Sequence, residues 1–276
     1  MIIDFHTHHF PDAIAKRALD TMVEKLDHRF LPCGDGTLAC QLRDAKASGI
    51  DRCVMCPIAT KPAQADVILR TACAIRDGAF GEEAARVIIP LASVHPQDPD
   101  FRQHIAAIAA AGIKGVKLHP YYQGFRLDDP DVWPFFRALS EAGLCVISHC
   151  GFDYGYRDAP MSCGPDQIIA LLKAVPELGP RFVAAHLGGR AGNTAESVER
   201  LLEKTACAID TACLECEHEN PEAVHVLTAW PSDRIVFGTD YPWNRPGRLV
   251  SWVERHRPDP EDRENIFHRT AERILG

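Results

Sequence analysis

The chain has 276 residues, of which 46% are hydrophobic, and a formal net charge of -8 at pH 7. One (β/α)8 barrel of roughly 250 residues fits this length, as do two smaller domains. The acidic balance argues against nucleic acid or an anionic membrane as partner, because both require a concentrated basic surface. No segment is apolar enough to span a bilayer, and residues 1–6 lack the pattern of a signal peptide. We therefore expect a cytoplasmic protein that acts on a small molecule.

The first apolar segment carries two histidines at alternate positions. Residues 1–8 read MIIDFHTH. Successive strand side chains point to opposite faces, so Asp4, His6 and His8 are expected on one face. Two imidazoles two residues apart can hold one metal ion. A single histidine near a strand end is as often packed or hydrogen bonded, so the motif needs support from other segments.

Three later segments repeat one arrangement, in which an apolar run is followed by a residue of a metal-ligand type. These segments lead to His149, His186 and Asp240. In a barrel of parallel strands, the chemistry lies at the C-terminal mouth, where the strand ends converge. The repetition therefore predicts that these three side chains lie near His6 and His8.

Strands that alternate with helices are predicted along the whole chain. Eight strands are expected near residues 1–6, 51–58, 86–94, 113–119, 144–149, 181–186, 206–211 and 234–239. Gly49, Gly112 and Gly143 each end a helical pattern before an apolar run. Residues 9–36 form an insert with an amphipathic segment, which we expect to cap the barrel mouth. No repeat or linker interrupts the pattern, so residues 1–276 are predicted to form one α/β domain, a TIM-like (β/α)8 barrel.

The eleven cysteines are expected to be reduced thiols, because disulfides are rare in the cytoplasm. Cys53 and Cys56 lie three apart in an extended run, where their side chains face opposite ways and do not share an ion. Cys213 and Cys216, followed by His218, are the better candidates for an accessory metal site. Core or loop thiols are the favoured interpretation of that pair.

The motifs together resemble a known superfamily. They look like the amidohydrolase superfamily, in particular its amidohydrolase-2 branch, in five segments: residues 4–8 (DFHTH), 115–120 (GVKLHP), 149–151 (HCG), 185–189 (AHLGG) and 237–243 (FGTDYPW). Each motif alone is weak, but the ordered set runs across nearly the whole chain. The sequence departs from the branch at Thr270, where the closing helix usually has asparagine.

The resemblance implies a TIM-like barrel that holds one divalent metal, most often Zn²⁺. It implies the ligands His6, His8, His149 and Asp240. Three neutral imidazoles and one carboxylate suit zinc, and an open position would lower the pKa of a bound water towards about 7. Asp240 would then also accept the proton. His186 would act beside the metal as a proton shuttle or as a stabiliser of negative charge.

Two residues of the fourth strand raise the question of a second metal ion. Lys117 and His119 lie two residues apart and could both face the barrel interior. In other branches of the superfamily, a carbamylated lysine on this strand bridges two metals. The Lys-Leu-His-Pro version resembles the mononuclear branch, so Lys117 is expected to be an ion-pair partner or a substrate anchor. His119 is expected either to contact substrate or to be a hydrogen-bonded loop residue.

Aromatic and arginine side chains in the loops after the strands are candidates for substrate binding. We single out Tyr121, Arg157, Arg190 and Trp243. Such residues suit a ring-bearing or carboxylated small molecule, because the guanidinium fork pairs with carboxylates. Exposed loop arginines also commonly face solvent only.

Three functions are compatible with these residues. The first is metal-dependent hydrolysis of a C–O or C–N bond, as in a lactone or an amide. The second is non-oxidative decarboxylation of an unsaturated or aromatic acid, and the third is a non-catalytic metal-bound barrel. His186 and Asp240 argue against the third, because a structural site needs no spare base. We prefer hydrolysis, because the loops lack an obvious dense carboxylate clamp. The sequence leaves open the substrate and the oligomeric state, a homodimer included.

Overall fold

The computed structural model describes residues 1–213 and 218–276, and eight parallel strands alternate with helices in these ranges. The strands are β1 (Ile3–Thr7), β2 (Arg52–Met55), β3 (Ile88–Pro90), β4 (Gly115–Leu118), β5 (Cys145–Ser148), β6 (Phe182–Ala184), β7 (Ala208–Asp210) and β8 (Ile235–Val236). Each predicted strand segment contains one of these strands or most of it. The prediction of eight strands is therefore confirmed, with shorter bounds.

Helices connect the strands. They are α1 (Asp12–Lys25), α2 (Leu38–Ala47), α3 (Ala65–Arg76), α4 (Glu82–Val87), α5 (Phe101–Ala110), α6 (Pro120–Gln123), α7 (Trp133–Glu141), α8 (Pro165–Ala174), α9 (Ala185–Gly189), α10 (Ala195–Lys204), α11 (Pro221–Ala229), α12 (Pro246–His256), α13 (Pro260–Glu264) and α14 (Thr270–Leu275). A π-helical segment, Asn265–Arg269, joins the last two. Among the described residues, no helix is both long and apolar enough to cross a membrane.

The strands are linked into one ring. β1, β2 and β3 form one parallel sheet, and β4 to β8 form a second in chain order. A parallel bridge between Ala92 and Val116 joins the end of β3 to β4. Another bridge, between Thr7 and Tyr241, joins β1 to the chain just after β8. The predicted TIM-like barrel is thus confirmed, and its last strand lies against its first.

An apolar cluster fills the barrel interior. The strands contribute alternate residues to it, as expected for side chains that point inwards: Ile3, Phe5, Val54, Cys56, Leu91, Cys145, Ile147, Val183, Ala185, Ala208 and Val236. Ala271 and Ile274 of α14 belong to the same cluster. The Lys114 ammonium, just before β4, donates a hydrogen bond to the Gly276 carbonyl at 3.2 Å. The final helix therefore closes the N-terminal end of the barrel.

The prediction that the side chains of Asp4, His6 and His8 lie on one face of β1 is wrong for Asp4. Between Asp4 and Thr7, β1 has one residue more than the matching stretch of β2, which is a β-bulge. The extra residue reverses the alternation of side chains. Asp4 therefore points away from the interior and accepts a 2.6 Å hydrogen bond from the Thr239 hydroxyl, whereas His6 still reaches the barrel centre.

The insert after β1 covers the barrel mouth, as predicted. Its helix α1 buries the side chains of Ala15 and Leu19. Ile14, Ala18 and Met22, on a neighbouring face, line the cavity above the mouth. The insert thus forms one wall of that cavity.

Three helices end at the glycines that the sequence indicated. Gly49, Gly112 and Gly143 have φ of 71°, 74° and 72°, in the left-handed region that glycine adopts without strain. They follow α2, α5 and α7 and turn the chain towards β2, β4 and β5. The alternation of helix and strand therefore follows from this local punctuation.

The cysteine pairs lie in separate layers. Cys53 packs between the strands and the outer helices, whereas Cys56 lies inside the barrel. They face opposite ways, as predicted. None of the cysteines in residues 1–213 forms a disulfide. Cys213 is buried, and Cys216 lies outside the described residues, so the accessory site stays a prediction.

Candidate metal centre

Three of the four predicted ligands meet at the C-terminal mouth of the barrel. β1 carries His6 and leads into His8, and the turn after β8 carries Asp240. The Asp240 Oδ1 atom lies 3.3 Å from His6 Nε2 and 3.1 Å from His8 Nε2. One possible ligand atom from each residue lies within 4.8 Å of the others. This spacing allows the three side chains to hold one ion.

The fourth predicted ligand, His149, lies in an adjoining group with His119 and Asp153. Possible ligand atoms of these three residues also lie within 4.8 Å of one another. The His119 ring stacks on the His149 ring with centroids 4.1 Å apart, and His119 Nε2 lies 3.4 Å from Asp153 Oδ2. The sequence analysis did not single out Asp153, which lies in an irregular loop with no periodic signal.

One imidazole nitrogen in this second group has no hydrogen-bond partner within residues 1–213 and 218–276: His149 Nε2, which is buried. A buried polar atom without a partner is energetically costly, and native proteins rarely retain one. This nitrogen is therefore available to a bound cation or to a substrate group.

His186 connects the two groups. Its Nδ1 atom lies 3.0 Å from the Ala212 carbonyl oxygen, which can only accept, so Nδ1 carries the proton. Its Nε2 atom then has the lone pair and lies 2.9 Å from His149 Nδ1. His149 accordingly donates from Nδ1, which leaves a lone pair on its unpartnered Nε2. The two hydrogen bonds thus fix both tautomers.

Lys117 lies at the centre of the barrel with a side chain that is 1% exposed. Its ammonium donates a 2.8 Å hydrogen bond to His6 Nε2. Because an ammonium cannot accept, the lone pair of His6 must be on Nε2. Burial and the charge of Lys117 lower the pKa of His6 well below its ordinary value, so the imidazole is neutral. The Nε2 lone pair already faces a positive charge, as it would face a metal ion.

Asp210 orients two of the histidines, and the sequence analysis missed it. Its Oδ2 atom lies 2.7 Å from His6 Nδ1, and its Oδ1 atom accepts a 2.7 Å hydrogen bond from the His186 backbone N–H. Burial raises the pKa of Asp210, and the charge of Lys117 and the backbone N–H groups of His186 and Ala212 oppose this rise. A carboxylate behind a ligating imidazole fixes its tautomer and orientation. The signal was available, because residues 206–209 form an apolar run that ends at Asp210.

Asp240 lies in a strained turn. Its φ is 55° and that of His186 is 58°, in a region that side chains other than glycine rarely adopt. Burial alone would raise the pKa of Asp240. The hydrogen bond from His8 and the neighbouring basic groups, among them the Lys117 ammonium, outweigh that effect, so the pKa lies below its ordinary value. The carboxylate is therefore ionised, as a ligand or a proton acceptor requires.

The predicted substrate-contact residues divide into two sets. Lys117, His119, Arg190 and Trp243 line the cavity above the centre. Within the described part of the chain, Tyr121 and Arg157 lie outside the lining of this cavity. The Tyr121 hydroxyl contacts Met161 Sδ at 3.7 Å, and Arg157 pairs with Asp27 at 2.7 Å.

Tyr122, and not Tyr121, occupies the substrate-facing position that the sequence analysis assigned to Tyr121. Tyr122 lines the cavity and stacks on His119 with ring centroids 3.8 Å apart. In the short helix α6, consecutive side chains point in different directions, because the helical period is 3.6 residues. Tyr122 is therefore the tyrosine of α6 that a ligand can reach.

Solved structures share this fold over their whole lengths. An uncharacterized TIM-barrel protein from Bordetella bronchiseptica is 19% identical, with 99% of this chain and 98% of that chain covered and a TM-score of 0.74. The 5-carboxyvanillate decarboxylase of Novosphingobium aromaticivorans, complexed with manganese, is 16% identical, with 100% and 96% covered and a TM-score of 0.69. A probable 2-pyrone-4,6-dicarboxylic acid hydrolase from Acinetobacter baumannii is also 16% identical, with 100% and 99% covered and a TM-score of 0.66.

At these identities, the structural likeness establishes the fold. No curated protein matches the chain in a sequence comparison. The sequence model described as amidohydrolase matches residues 3–276, which is nearly the whole chain. The protein therefore belongs to the amidohydrolase family, the family of metal-dependent enzymes that its motifs resemble.

Proposed function

We propose that the protein is a hydrolase that cleaves a C–O or C–N bond, such as that of a lactone or an amide, with the help of one divalent metal ion. The observation that carries this proposal is the ionised Asp240 carboxylate, 3.1 Å from His8 and 3.3 Å from His6. An ionised carboxylate beside neutral imidazoles is a combination that can both hold a cation and take a proton.

The donor atoms fit such an ion. His6, His8 and Asp240 provide two imidazole nitrogens and one carboxylate oxygen, which zinc accepts readily. His149 is proposed as the fourth ligand, through the nitrogen that has no partner within the described ranges. A divalent cation held there would polarise a substrate oxygen and lower the pKa of a water molecule. His119 and Asp153, which lie beside His149, offer donors for the second ion that the sequence left open.

The protein's own groups would move the proton. Oδ1 of Asp240 lies against the two imidazoles, so Oδ2 is the atom that we propose accepts a proton from the attacking water. His186 is proposed to relay that proton to the leaving group. Arg190, Trp243 and Tyr122, which line the cavity, are proposed to position the substrate. His119 is proposed to contact it as well.

Decarboxylation of an unsaturated or aromatic acid is the second candidate. The buried ammonium of Lys117 favours it, because this charge would attract a substrate carboxylate to the centre. Against it, two arginines near the mouth already pair with carboxylates: Arg157 with Asp27 at 2.7 Å and Arg190 with Glu222 at 3.3 Å. Hydrolysis therefore remains the preferred proposal.

The test is a parallel measurement of metal content and turnover. A panel of lactones, amides and carboxylic acids is assayed for the hydrolysis product and for released CO2. His186→Ala is expected to keep most of its metal and to lose about 10²-fold in turnover, the usual scale for a lost acid–base group. Asp240→Asn is expected to abolish turnover and to weaken metal binding, because an amide is a poorer ligand and no base.

His225→Ala is the control, because His225 pairs with Glu199 on the surface at 2.6 Å. It should retain both metal and turnover. Release of CO2 without any hydrolysis product would reject the proposed hydrolase activity and favour decarboxylation. If His186→Ala loses metal as completely as His149→Ala, His186 is a ligand and Lys117 must be reconsidered as the bridge of a two-metal centre.

Two further proposals concern the setting of the protein. We propose a cytoplasmic location, supported by the absence of disulfides among the described cysteines. A homodimer is the assembly that we propose to test, by analytical ultracentrifugation at several protein concentrations.

A further inference from the structure

The cavity above the metal centre is larger than a small carboxylated or ring-bearing substrate needs. Its volume is about 1170 Å³. Pockets for small ligands usually enclose about 300–1,000 Å³. The candidate metal centre and His186 occupy its floor. The rest extends between α1, α2 and α3, and we call this part the apolar arm, lined by Ile14, Met22, Leu26, Leu42, Val67 and Ile68.

Helix α1 presents one face to the apolar arm. Ile14, Ala18, Met22 and Leu26 follow one another at intervals of four residues, so their side chains lie on one side of the helix and its C-cap. A stretch of this length spans about 18 Å, at about 1.5 Å per residue. None of the four is fully buried. This face is therefore apolar and only partly packed against the rest of the protein.

Helix α3 also lines the apolar arm. Val67, Ile68, Thr71 and Ile75 recur at helical spacing along it. Phe80, just beyond this helix, also lines the cavity and is 52% exposed, and Val67 is 48% exposed. Of the five exposed large hydrophobic side chains in the described ranges, three line this cavity: Ile14, Val67 and Phe80. Exposed apolar surface concentrated in one place marks a binding site.

The chemistry of the apolar arm limits what it can bind. Among the described residues that line it from position 10 to position 80, Asp12 is the one charged side chain. Thr60, Gln64 and Thr71 add a few polar atoms. A charged or strongly polar group would lose its hydration in the apolar arm without gaining partners. Hydrocarbon is the occupant that gains free energy there.

We propose that the substrate carries a long alkyl or aryl tail, which fills the apolar arm while the scissile bond lies at His6, His8 and Asp240. This inference rests on the proposed function. One cavity contains both the apolar arm and the metal centre, which argues for a tail on the substrate and against a second protein chain seated there. The substrate is thus amphipathic, with its polar end at the metal.

The experiment measures binding of straight-chain alkyl hydroxamates, from acetohydroxamate to dodecanohydroxamate, to the metal-loaded protein by calorimetry. The hydroxamate head binds a metal ion, and the chain length alone varies. Affinity should rise about threefold to fourfold for each added methylene until the apolar arm is full, because each buried methylene contributes about 0.8 kcal/mol.

Met22→Asp tests the wall of the apolar arm. The new carboxylate should flatten the dependence on chain length and leave the affinity of acetohydroxamate unchanged. Thr21→Asp is the matched control, because it places the same charge one residue away on the exposed side of α1. It should keep the wild-type dependence. If Met22→Asp does not fold, Met22→Ser should reduce the gain per methylene to a smaller extent.

The series separates this inference from the proposed function. If treatment with a chelator leaves the affinity for acetohydroxamate unchanged, the proposed metal centre is wrong. A gain in affinity per methylene that persists in the same sample still supports the apolar arm. A flat series in both the metal-loaded and the metal-free protein overturns the inference. If affinity does not depend on chain length and the wild-type protein is a dimer that Met22→Asp dissociates, the apolar arm binds a second copy of the chain, and the inference of a substrate tail is wrong.

Discussion

At its N-terminal end the barrel is filled by α14, whose Ile274 is 3% exposed inside the apolar cluster, whereas at its C-terminal end the strands lead into imidazoles and carboxylates. Both ends use the same eight strands. The N-terminal end buries hydrocarbon, which stabilises the fold, and the C-terminal end buries polar groups, which cost stability unless they are paired. The comparison indicates that stability and chemistry are assigned to opposite ends of the barrel.

Backbone strain follows the same division. Five residues other than glycine have a positive φ within the described ranges: Asp27, His28, His186, Leu187 and Asp240. Three lie at the strand ends around the centre and two lie in the insert that covers it. Such conformations cost of order 1–3 kcal/mol each and persist where the surrounding structure imposes them. Stability contributed elsewhere in the barrel must offset this cost at the mouth.

The largest expected effect is loss of function at the C-terminal mouth without loss of the fold. His6→Ala/His8→Ala should lose the bound metal, because two of its ligands are removed, and activity should disappear with it. The global fold should remain, since neither change touches the apolar cluster. Elemental analysis and circular dichroism measure the two outcomes. His9→Ala is the control, because His9 instead binds Gln41 at 2.6 Å. Equal metal content in the double variant and the wild type would contradict the assigned ligands.

The second prediction breaks the opposite end. Ile274→Ala should lower the free energy of unfolding by about 2–5 kcal/mol, the usual cost of a cavity in a core. Metal content and turnover at low temperature should stay within about twofold of wild type, because the apolar cluster separates the two ends. Urea denaturation and metal analysis check this. Leu275→Ala, at a half-buried neighbouring position, should cost less. Loss of metal in Ile274→Ala would show that the ends are coupled.

The smallest expected effect concerns the support of the centre. Asp210→Asn should weaken metal binding by about 10–100-fold, the usual result when a group behind a ligating histidine is changed. Competition with a chelator of known affinity measures this change. Asp98→Asn is a matched control, since Asp98 is also buried and holds His104 Nδ1 at the same distance of 2.7 Å, away from the centre. An unchanged metal affinity in Asp210→Asn would leave Asp210 a structural role only.

The location of most site residues at the C-terminal mouth could be predicted from the sequence. An apolar run that leads directly into a polar residue indicates a strand end, and that signal placed His149, His186 and Asp240 at one mouth. The same signal preceded Asp210 and could have identified it. These positions follow from local sequence, because the barrel topology sends every strand in one direction.

The remaining features depend on neighbours that sequence patterns do not show. The bulge that turns Asp4 away arises from the pairing of β1 with β2. The choice between Tyr121 and Tyr122 depends on how the four residues of α6 are rotated. The grouping of His149 with His119 and Asp153 depends on ring orientation and on an irregular loop. Each of these is set by tertiary contacts, which local propensity does not determine.

The contact between the first strand and the turn after the last has a consequence for how the protein is made. The Asp4 carboxylate and the Thr239 hydroxyl that binds it are separated by 235 residues. On the ribosome, β1, which carries His6 and leads into His8, therefore waits for nearly the whole chain before its second neighbour exists. Contacts between such distant residues form slowly, since a long loop must close first. The site that includes Asp240 is thus assembled among the last parts of the molecule, and metal capture by the full ligand set belongs to the end of folding.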